Sequence, residues 1–303
     1  NLPQYILKIK NNDLRSSLEV FKNQKLFFNL ADLNNLVKFW IKEAENTQNY
    51  FLENHYINSS IHELLILENF YNSNELIKIA DLIYKNSNLN SHEFLLLAGF
   101  YFRVNNFEKT KEIIKTKLSN QFDKNNIIDD FYSENNIFNK IQTLNLILAS
   151  KIYNFINENN SKINKSYSYQ KILLELSIFL EPKMDISKYA LAEIYNFEKT
   201  YKTAFRILDA INENSFFSLA ANLKKLSILK SSNMDEEYKI LLFKIVDKWP
   251  NNKFVLYRLA SYYKSNSKLH MSLNIYKKIL DYYGSNDHDL FLYASNLDKI
   301  GKW

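Results

Sequence analysis

The chain lacks cysteine and contains very little glycine or proline. Of its 303 residues none is Cys, three are Gly and three are Pro. The absence of Cys excludes disulfides, thiolate zinc sites and cysteine nucleophiles. Three glycines are too few for the turns of a β-rich or α/β protein, or for a phosphate-binding loop. The composition therefore predicts an all-helical chain whose tight turns use Asn, Ser and Asp, which tolerate left-handed backbone conformations.

The chain also lacks a long apolar run and a concentrated block of charge. Its longest apolar stretch, around 95–102, is far shorter than the ~18 residues that a membrane helix requires. The net charge is +6 and the pI is near 9.0, which suits nucleic-acid binding. The lysines are dispersed beside Glu and Asp, however, and this dispersed pattern disfavours a nucleic-acid partner.

What the sequence does contain is a period of 34 residues. Pro182 and Pro250 are 68 residues apart, and Ala260 and Ala294 are 34 apart. The prolines follow amphipathic stretches, and the alanines lie within aromatic-rich ones. A fixed period of 34 predicts a helix–turn–helix repeat that buries its apolar face by stacking on copies of itself.

Large and small residues recur at fixed positions when the residue three after each proline is counted as position 1. Positions 7, 8, 11, 20 and 24 of the repeat 185–218 are Leu191, Ala192, Tyr195, Ala204 and Leu208. The same positions of the repeat 253–286 are Leu259, Ala260, Tyr263, Ser272 and Tyr276. An upstream stretch, 91–124, matches with Leu97, Ala98, Tyr101, Thr110 and Ile114.

This pattern resembles the tetratricopeptide repeat (TPR), in which small residues at positions 8 and 20 let the two helices of a repeat cross closely. The resemblance implies an all-α, right-handed α-α superhelix, a solenoid of antiparallel helix pairs. We expect three parts in one continuous solenoid. Residues 1–124 form degenerate TPR-like repeats, 125–184 an irregular helical pair where the phase slips, and 185–303 clear repeats at 185–218, 219–252, 253–286 and a truncated 287–303.

Local patterns place further helices upstream and mark one irregular repeat. They are predicted at Leu2–Lys10, Leu14–Asn23, Leu30–Glu45, 137–157 and 168–180. The first helix of the repeat 219–252 is predicted to be shifted by one residue.

Over about 168–303 the order of segments is similar to the central part of large alphaproteobacterial TPR proteins. Asn214-Ser215-Phe216 replaces their "DSP-aromatic" segment, and Tyr293-Ala294-Ser295 replaces their "Y-A-R" element, with the Arg lost. The resemblance implies further repeats after Trp303 and no activity beyond protein binding.

Motifs for chemistry are missing from the sequence. His62-Glu63 begins like a zinc-protease helix, but Ile66 stands where the second His is required. His55 and His62 could share a helix face, and without a carboxylate partner they are predicted to be surface or interhelical histidines. No G-x-S-x-G, P-loop or G-x-G-x-x-G occurs. The sequence predicts no catalytic, metal or cofactor-binding residue, and no cofactor.

The resemblance implies that positions 2, 5, 9, 12 and 13 of each first helix line a concave groove. The predicted partner-binding residues are Tyr189, Glu193, Asn196, Tyr257, Ser261, Lys264, Phe291, Ser295 and Lys299. The upstream repeat adds His92 and Arg103. The rings at position 5 are open to two interpretations, since they could line the groove or pack against neighbouring helices. The carboxylate clamp of chaperone-tail-binding TPR domains, with Lys at 5 and Asn at 9, is absent.

The sequence thus predicts a protein-interaction scaffold that binds a protein or peptide segment along the concave face, without catalysis. Two alternatives stay open at this point. An RNA-binding helical repeat would place basic and amide residues at fixed groove positions. An accessory repeat segment of a larger enzyme would have its catalytic domain outside these residues. The sequence specifies neither the partner nor the compartment nor the oligomeric state.

Overall fold

The computed structural model describes residues 2–20, 30–45, 60–86, 88–118, 143–158, 167–284 and 286–301. These residues form sixteen α-helices and one short 3-10 helix, with no β-strand among them. Most consecutive helices joined by short turns pack against each other. The predicted fold class, an all-α array of antiparallel helix pairs, is confirmed.

Contacts divide the chain into two units. Unit 1 comprises Asn1–Glu198 and Ala210–Phe217, and unit 2 comprises Lys199–Asp209 and Ser218–Trp303. The domain boundaries predicted near residues 124 and 184 stay predictions, and the first of them lies outside the described residues.

Unit 1 contains ten of the helices. They are α1 (Leu2–Lys10), α2 (Leu14–Glu19), α3 (Leu30–Glu45), α4 (Ile61–Leu67), the 3-10 helix (Ser73–Leu76), α5 (Ile77–Asn86), α6 (Ser91–Arg103), α7 (Phe107–Lys117), α8 (Leu144–Glu158), α9 (Tyr167–Leu180) and α10 (Asp185–Phe197). The predicted helix 14–23 ends earlier, at Glu19, and residues 137–142 of another prediction lie outside the described residues. His55 also lies outside them.

Unit 2 contains the other six helices. They are α11 (Tyr201–Asp209), α12 (Ser218–Ser231), α13 (Asp235–Lys248), α14 (Lys253–Ser265), α15 (Leu269–Tyr283) and α16 (Asp287–Ile300). We call α12, α14 and α16 the first helices, and α11, α13 and α15 the second helices, of their repeats. From α11 to α15, each of these helices packs on the next one along the chain.

The turns between first and second helices share one backbone conformation at position 15. Asn105, Lys199, Asn233 and Ser267 have φ of 60°, 60°, 54° and 58°, and Gly301 has φ of 70°. A left-handed residue after a helix lets the next N–H groups bond to the last carbonyls of that helix. Lys199, Asn233, Ser267 and Gly301 follow one another at intervals of 34 residues, which confirms the 34-residue period on the backbone of these repeats. The period is kept in the irregular repeat, where α12 begins at Ser218, one residue before position 1.

A small buried residue marks the helix crossing within each of two hairpins. Thr110 Oγ1 donates to the carbonyl oxygen of Ala98 at 3.3 Å, and Ser272 Oγ donates to that of Ala260 at 2.9 Å. All four residues are fully buried. Positions 8 and 20 therefore let the helices approach closely, as the sequence pattern predicts. Ala192 is also fully buried.

Unit 1 departs from strictly nearest-neighbour packing. Helices α3 and α4 pack on α8, and α1 packs on α9. Lys10 Nζ donates to the carbonyl oxygen of Phe179 at 2.7 Å and lies 3.9 Å from the centre of that ring. In this unit, helices far apart in sequence share a core, so the expectation that each repeat contacts only its neighbours does not hold.

Candidate partner-binding surface

The three first helices of unit 2 lie side by side. The Tyr257 hydroxyl on α14 donates to the Asp289 carboxylate on α16. Arg258 Nη2, also on α14, donates to Ser227 Oγ on α12 at 3.2 Å. Because both contacts join one first helix to the next, these helices present a common surface. We call it the first-helix face and define it by Leu223, Ser227, Lys230, Tyr257, Ser261, Lys264, Phe291, Ser295 and Lys299.

Asp289 anchors one edge of this face. Its carboxylate is only 1% exposed and receives Lys253 Nζ at 2.8 Å and Asn286 Nδ2 at 2.6 Å. Its backbone N–H donates to Asn286 Oδ1 at 2.9 Å, which caps the start of α16. Buried carboxylates require such partners. Tyr257 is one of them, so its hydroxyl holds α14 against α16.

Phe291 is the exposed ring of the predicted position-5 set. Its side chain is 69% exposed on α16, whereas Tyr257 is half-buried. Phe254, at position 2 of α14, is also exposed. Large exposed rings of this kind offer apolar area to a partner. Within unit 2, Tyr257 therefore packs against a neighbouring helix, whereas Phe291 lies on the surface.

Three lysines occupy the C-terminal ends of the first helices. Lys230 and Lys299 are exposed, and Lys264 is partly exposed. Within the part of the chain that the structure describes, none of the three forms an ion pair. Ser261 and Ser295 lie between these lysines and the rings, and both are half-buried. Leu223, Ser227 and Lys230 of α12 were not among the predicted site residues, although a step of 34 back from Tyr257, Ser261 and Lys264 identifies them.

The remaining predicted site residues lie on α10 in unit 1. Tyr189 is half-buried, and burial raises its pKa, with the charge of Glu193 and a hydrogen bond to Glu193 adding to the effect. Glu193 is exposed and Asn196 is half-buried. Tyr189 is thus hydrogen-bonded within its own helix.

His92 and Arg103, predicted to line the groove, have interhelical partners. Arg103 Nε and Nη2 donate to the two carboxylate oxygens of Glu68, both at 2.7 Å, in a bidentate ion pair. Glu68 is 1% exposed. His92 Nδ1 lies 2.8 Å from Asn154 Oδ1 on α8. Both side chains join α6 to other helices of unit 1.

His62 belongs to the same interhelical network. Its Nε2 lies 3.4 Å from Ser150 Oγ and 3.3 Å from Asn154 Nδ2, and its Nδ1 is buried without a hydrogen-bond partner. Burial lowers the pKa of His62 well below its ordinary value, and the charge of Lys151 lowers it further. Burial also lowers the pKa of His92 to about 4, opposed by its bond to Asn154. These imidazoles are neutral at pH 7 and hold α4 and α6 to α8.

The described part of the chain contains no group of three or more His, Asp or Glu side chains placed to hold a metal ion. Its helices are also too short or too polar to cross a membrane.

Comparison with known proteins finds likenesses among solved structures. No protein-family model matches the sequence, and no curated protein matches it. A solved structure, the C-terminal part of a TPR repeat-containing protein from Cytophaga hutchinsonii, is similar at 13% identity and a TM-score of 0.37. The alignment covers 96% of this chain and 99% of that one.

Proposed function

We propose that this chain is a protein-interaction scaffold without catalytic activity, and that it binds a partner segment along the first helices of its repeats. The similarity to alphaproteobacterial TPR proteins belongs to the same proposal. The observation that carries it is the first-helix face of unit 2, where a lysine recurs near the C-terminal end of each of three adjacent helices and an exposed ring, Phe291, lies on the same face.

The face has the composition of a binding surface rather than of a core. Phe291 and Phe254 expose aromatic area, and Lys299 and Lys264 lie about two to three turns further along the same helices. Aromatic anchors with polar neighbours dominate the energy of many protein interfaces. Spread over three helices, such a surface suits an extended segment better than a compact small molecule.

The test is a selection of peptides by the purified chain from a displayed library, scored by fluorescence anisotropy of the selected peptides. We expect selected peptides whose affinity falls about tenfold or more in Phe291→Ala, which removes an exposed ring. Phe70→Ala, which removes a partly exposed ring of unit 1, serves as the control and should leave affinity unchanged. Failure to select any peptide, or equal losses in both variants, would reject the proposal.

A further inference from the structure

We propose that the first-helix face of unit 2 recognises an acidic extended peptide segment, with one carboxylate for each repeat it crosses. This inference rests on the proposed scaffold function and specifies the chemistry of the partner.

Three parallel rows of side chains carry the inference. Position 5 is large and apolar or aromatic in each first helix (Leu223, Tyr257, Phe291), and position 9 is Ser in each (Ser227, Ser261, Ser295). Both rows step by 34 residues. A cation follows three or four residues after each serine, at Lys230, Lys264 and Lys299. Residues spaced by three, four or seven lie on one face of a helix, so the rows run across the helices in the order ring, hydroxyl, cation.

The charge of the face is positive and largely uncompensated. Besides the three lysines it includes Arg258, whose guanidinium reaches Ser227 Oγ at 3.2 Å. The lysines also complement the negative C-terminal ends of their helices. That effect accounts for a cation near each helix end, but it does not require the cations to align with the ring and serine rows. The carboxylate of Asp298, one residue before Lys299, is exposed and offsets part of the charge at α16.

The spacing of the helices sets the spacing of the acidic residues. Neighbouring packed helices have axes about 10 Å apart. A peptide in the extended polyproline II conformation advances about 3.1 Å per residue with about three residues per turn, so it passes from one helix to the next in about three residues and presents every third side chain on the same side. A segment with Asp or Glu at every third position would therefore present one carboxylate to each lysine. Apolar side chains between them would meet Phe291 and Phe254.

A peptide fits this face better than RNA does. Readout of bases requires amide or arginine side chains and open stacking rings at repeated positions. Here position 9 is Ser, the Tyr257 hydroxyl is bound to Asp289, and Tyr257 and Leu223 are half-buried. Asp298 would also repel a phosphate backbone. Carboxylates spaced along a peptide can avoid Asp298, because they need to meet only the lysines.

The experiment measures fluorescence anisotropy of a labelled 12-residue peptide with Glu at every third position and Leu, Tyr and Ser between. A version with Gln in place of each Glu is the matched ligand, and a labelled 12-nucleotide oligo-uridine tests the nucleic-acid alternative. We expect the Glu peptide to bind at least tenfold more tightly than the Gln peptide, with an affinity that falls as salt increases.

The variant set separates local recognition from net charge. The triple variant Lys230→Gln, Lys264→Gln, Lys299→Gln should weaken the Glu peptide about tenfold, as expected for three exposed ion pairs. The control triple Lys202→Gln, Lys239→Gln, Lys277→Gln changes net charge equally but on the second helices, where all three lysines are exposed. It should alter affinity less than twofold. Asp298→Asn should tighten binding about twofold by removing the opposing carboxylate.

Three results would overturn the acidic-segment proposal: equal binding of the Glu and Gln peptides, equal losses in the two triple variants, or lysine-dependent binding of oligo-uridine with none of the Glu peptide. If both peptides bind equally and Phe291→Ala weakens both, the scaffold function stands while the acidic preference is rejected. Circular dichroism and urea unfolding of each variant establish that the losses do not come from misfolding.

Discussion

The hydroxyl of Ser272 donates a hydrogen bond to the carbonyl oxygen of Ala260, 2.9 Å away, where α14 and α15 cross. Thr110 and Ala98 make the same bond between α6 and α7, and Ser177 and Ala149 make it at 3.0 Å between α9 and α8. The hydroxyl satisfies its own hydrogen-bonding need without a side chain that would hold the helices apart. Close helix approach in these hairpins therefore depends on a small residue facing a small hydroxyl.

Enlarging Ala260 should destabilise unit 2. Ala260→Leu forces a larger side chain into a fully buried crossing, and we expect a loss of ~1–3 kcal/mol in the free energy of unfolding. The measurement is urea unfolding followed by circular dichroism. Ala294→Leu is the matched control, because Ala294 occupies the same repeat position but is exposed on α16.

The contrast between these alanines has a simple structural reason. Ala260 is buried where Ser272 of α15 crosses it, whereas Ala294 is exposed. We expect Ala294→Leu to change the free energy of unfolding by no more than ~0.5 kcal/mol. Equal losses at Ala260 and Ala294 would show that burial at position 8 does not control the stability of the hairpin.

Lys199→Gly should stabilise the protein. Lys199 has φ of 60°, a conformation that costs a residue with a Cβ roughly 1 kcal/mol or more relative to Gly. Gly also loses more conformational entropy than Lys on folding. With this cost subtracted, we expect the free energy of unfolding to rise by ~0.5 kcal/mol or more. Urea unfolding measures it, with the exposed Lys202→Gly inside α11 as control, where Gly should cost about 1 kcal/mol. A loss of stability in Lys199→Gly would contradict the role assigned to position 15.

Tyr257→Phe should destabilise unit 2 without removing exposed surface. The substitution deletes one hydrogen bond to the buried Asp289 carboxylate, while Lys253 and Asn286 remain as partners. We expect a cost of about 1 kcal/mol in urea unfolding. Phe291→Ala, which truncates an exposed ring, should change stability by no more than ~0.5 kcal/mol. A larger loss of stability in Phe291→Ala than in Tyr257→Phe would contradict the anchoring role of Tyr257 and the surface position of Phe291.

Stability should fall as the pH is lowered from 6.5 towards 4. The pKa of His92 is about 4 in the folded chain and near 6.5 when unfolded, so the unfolded state binds more protons across this window. His62 shifts in the same direction, with Lys151 of α8 adding to the effect of burial. Protonation thus favours unfolding, and the contribution of these imidazoles is fully present above pH 6.5.

The pH effect is isolated by comparing the wild type with His92→Gln in urea unfolding at pH 7 and pH 4.5. The variant loses a hydrogen bond to Asn154, so it should be less stable than the wild type at pH 7. Because it also lacks the titratable group, the difference in free energy of unfolding should shrink by ~1–3 kcal/mol at pH 4.5. A deficit that stays constant with pH would show that His92 is not the group whose protonation destabilises the fold.

Much of the fold follows from local sequence patterns. The period of 34 predicts the turns of the later repeats, and the small residues Ala98, Ala260 and Ser272 predict which positions are buried at the crossings. Both features are set by short-range geometry, since helix ends and crossings repeat whenever their residues repeat. The start of α12 at Ser218 is also predicted by the one-residue shift of its apolar pattern.

The long-range contacts of unit 1 could not be predicted in this way. Nothing local to His62 specifies that it meets Ser150 and Asn154 about ninety residues later. The contact of Lys10 with Phe179 is of the same kind. Such contacts depend on how the N-terminal helices return to α8 and α9, and a repeat pattern carries information only about successive repeats. For the same reason the sequence assigned His92 to a groove, whereas Asn154 binds it.

The candidate site could be predicted in part. Tyr257 and Phe291 are both rings at position 5, so the sequence predicts the same environment for them. In the structure, Tyr257 packs on Asp289 while Phe291 is exposed. The difference depends on the side chain that each ring meets, here the Asp289 carboxylate for Tyr257, and a repeat position does not specify that partner. Leu223, Ser227 and Lys230 were missed because the repeat that contains them has an irregular first helix.

The measurement that tests the central claim most directly is hydrogen–deuterium exchange of the whole chain with and without a saturating amount of the glutamate peptide. The account predicts slower exchange in α12, α14 and α16, with little change in α11, α13 and α15. Protection confined to the second helices, or bound peptide with no protection in the first helices, would contradict it.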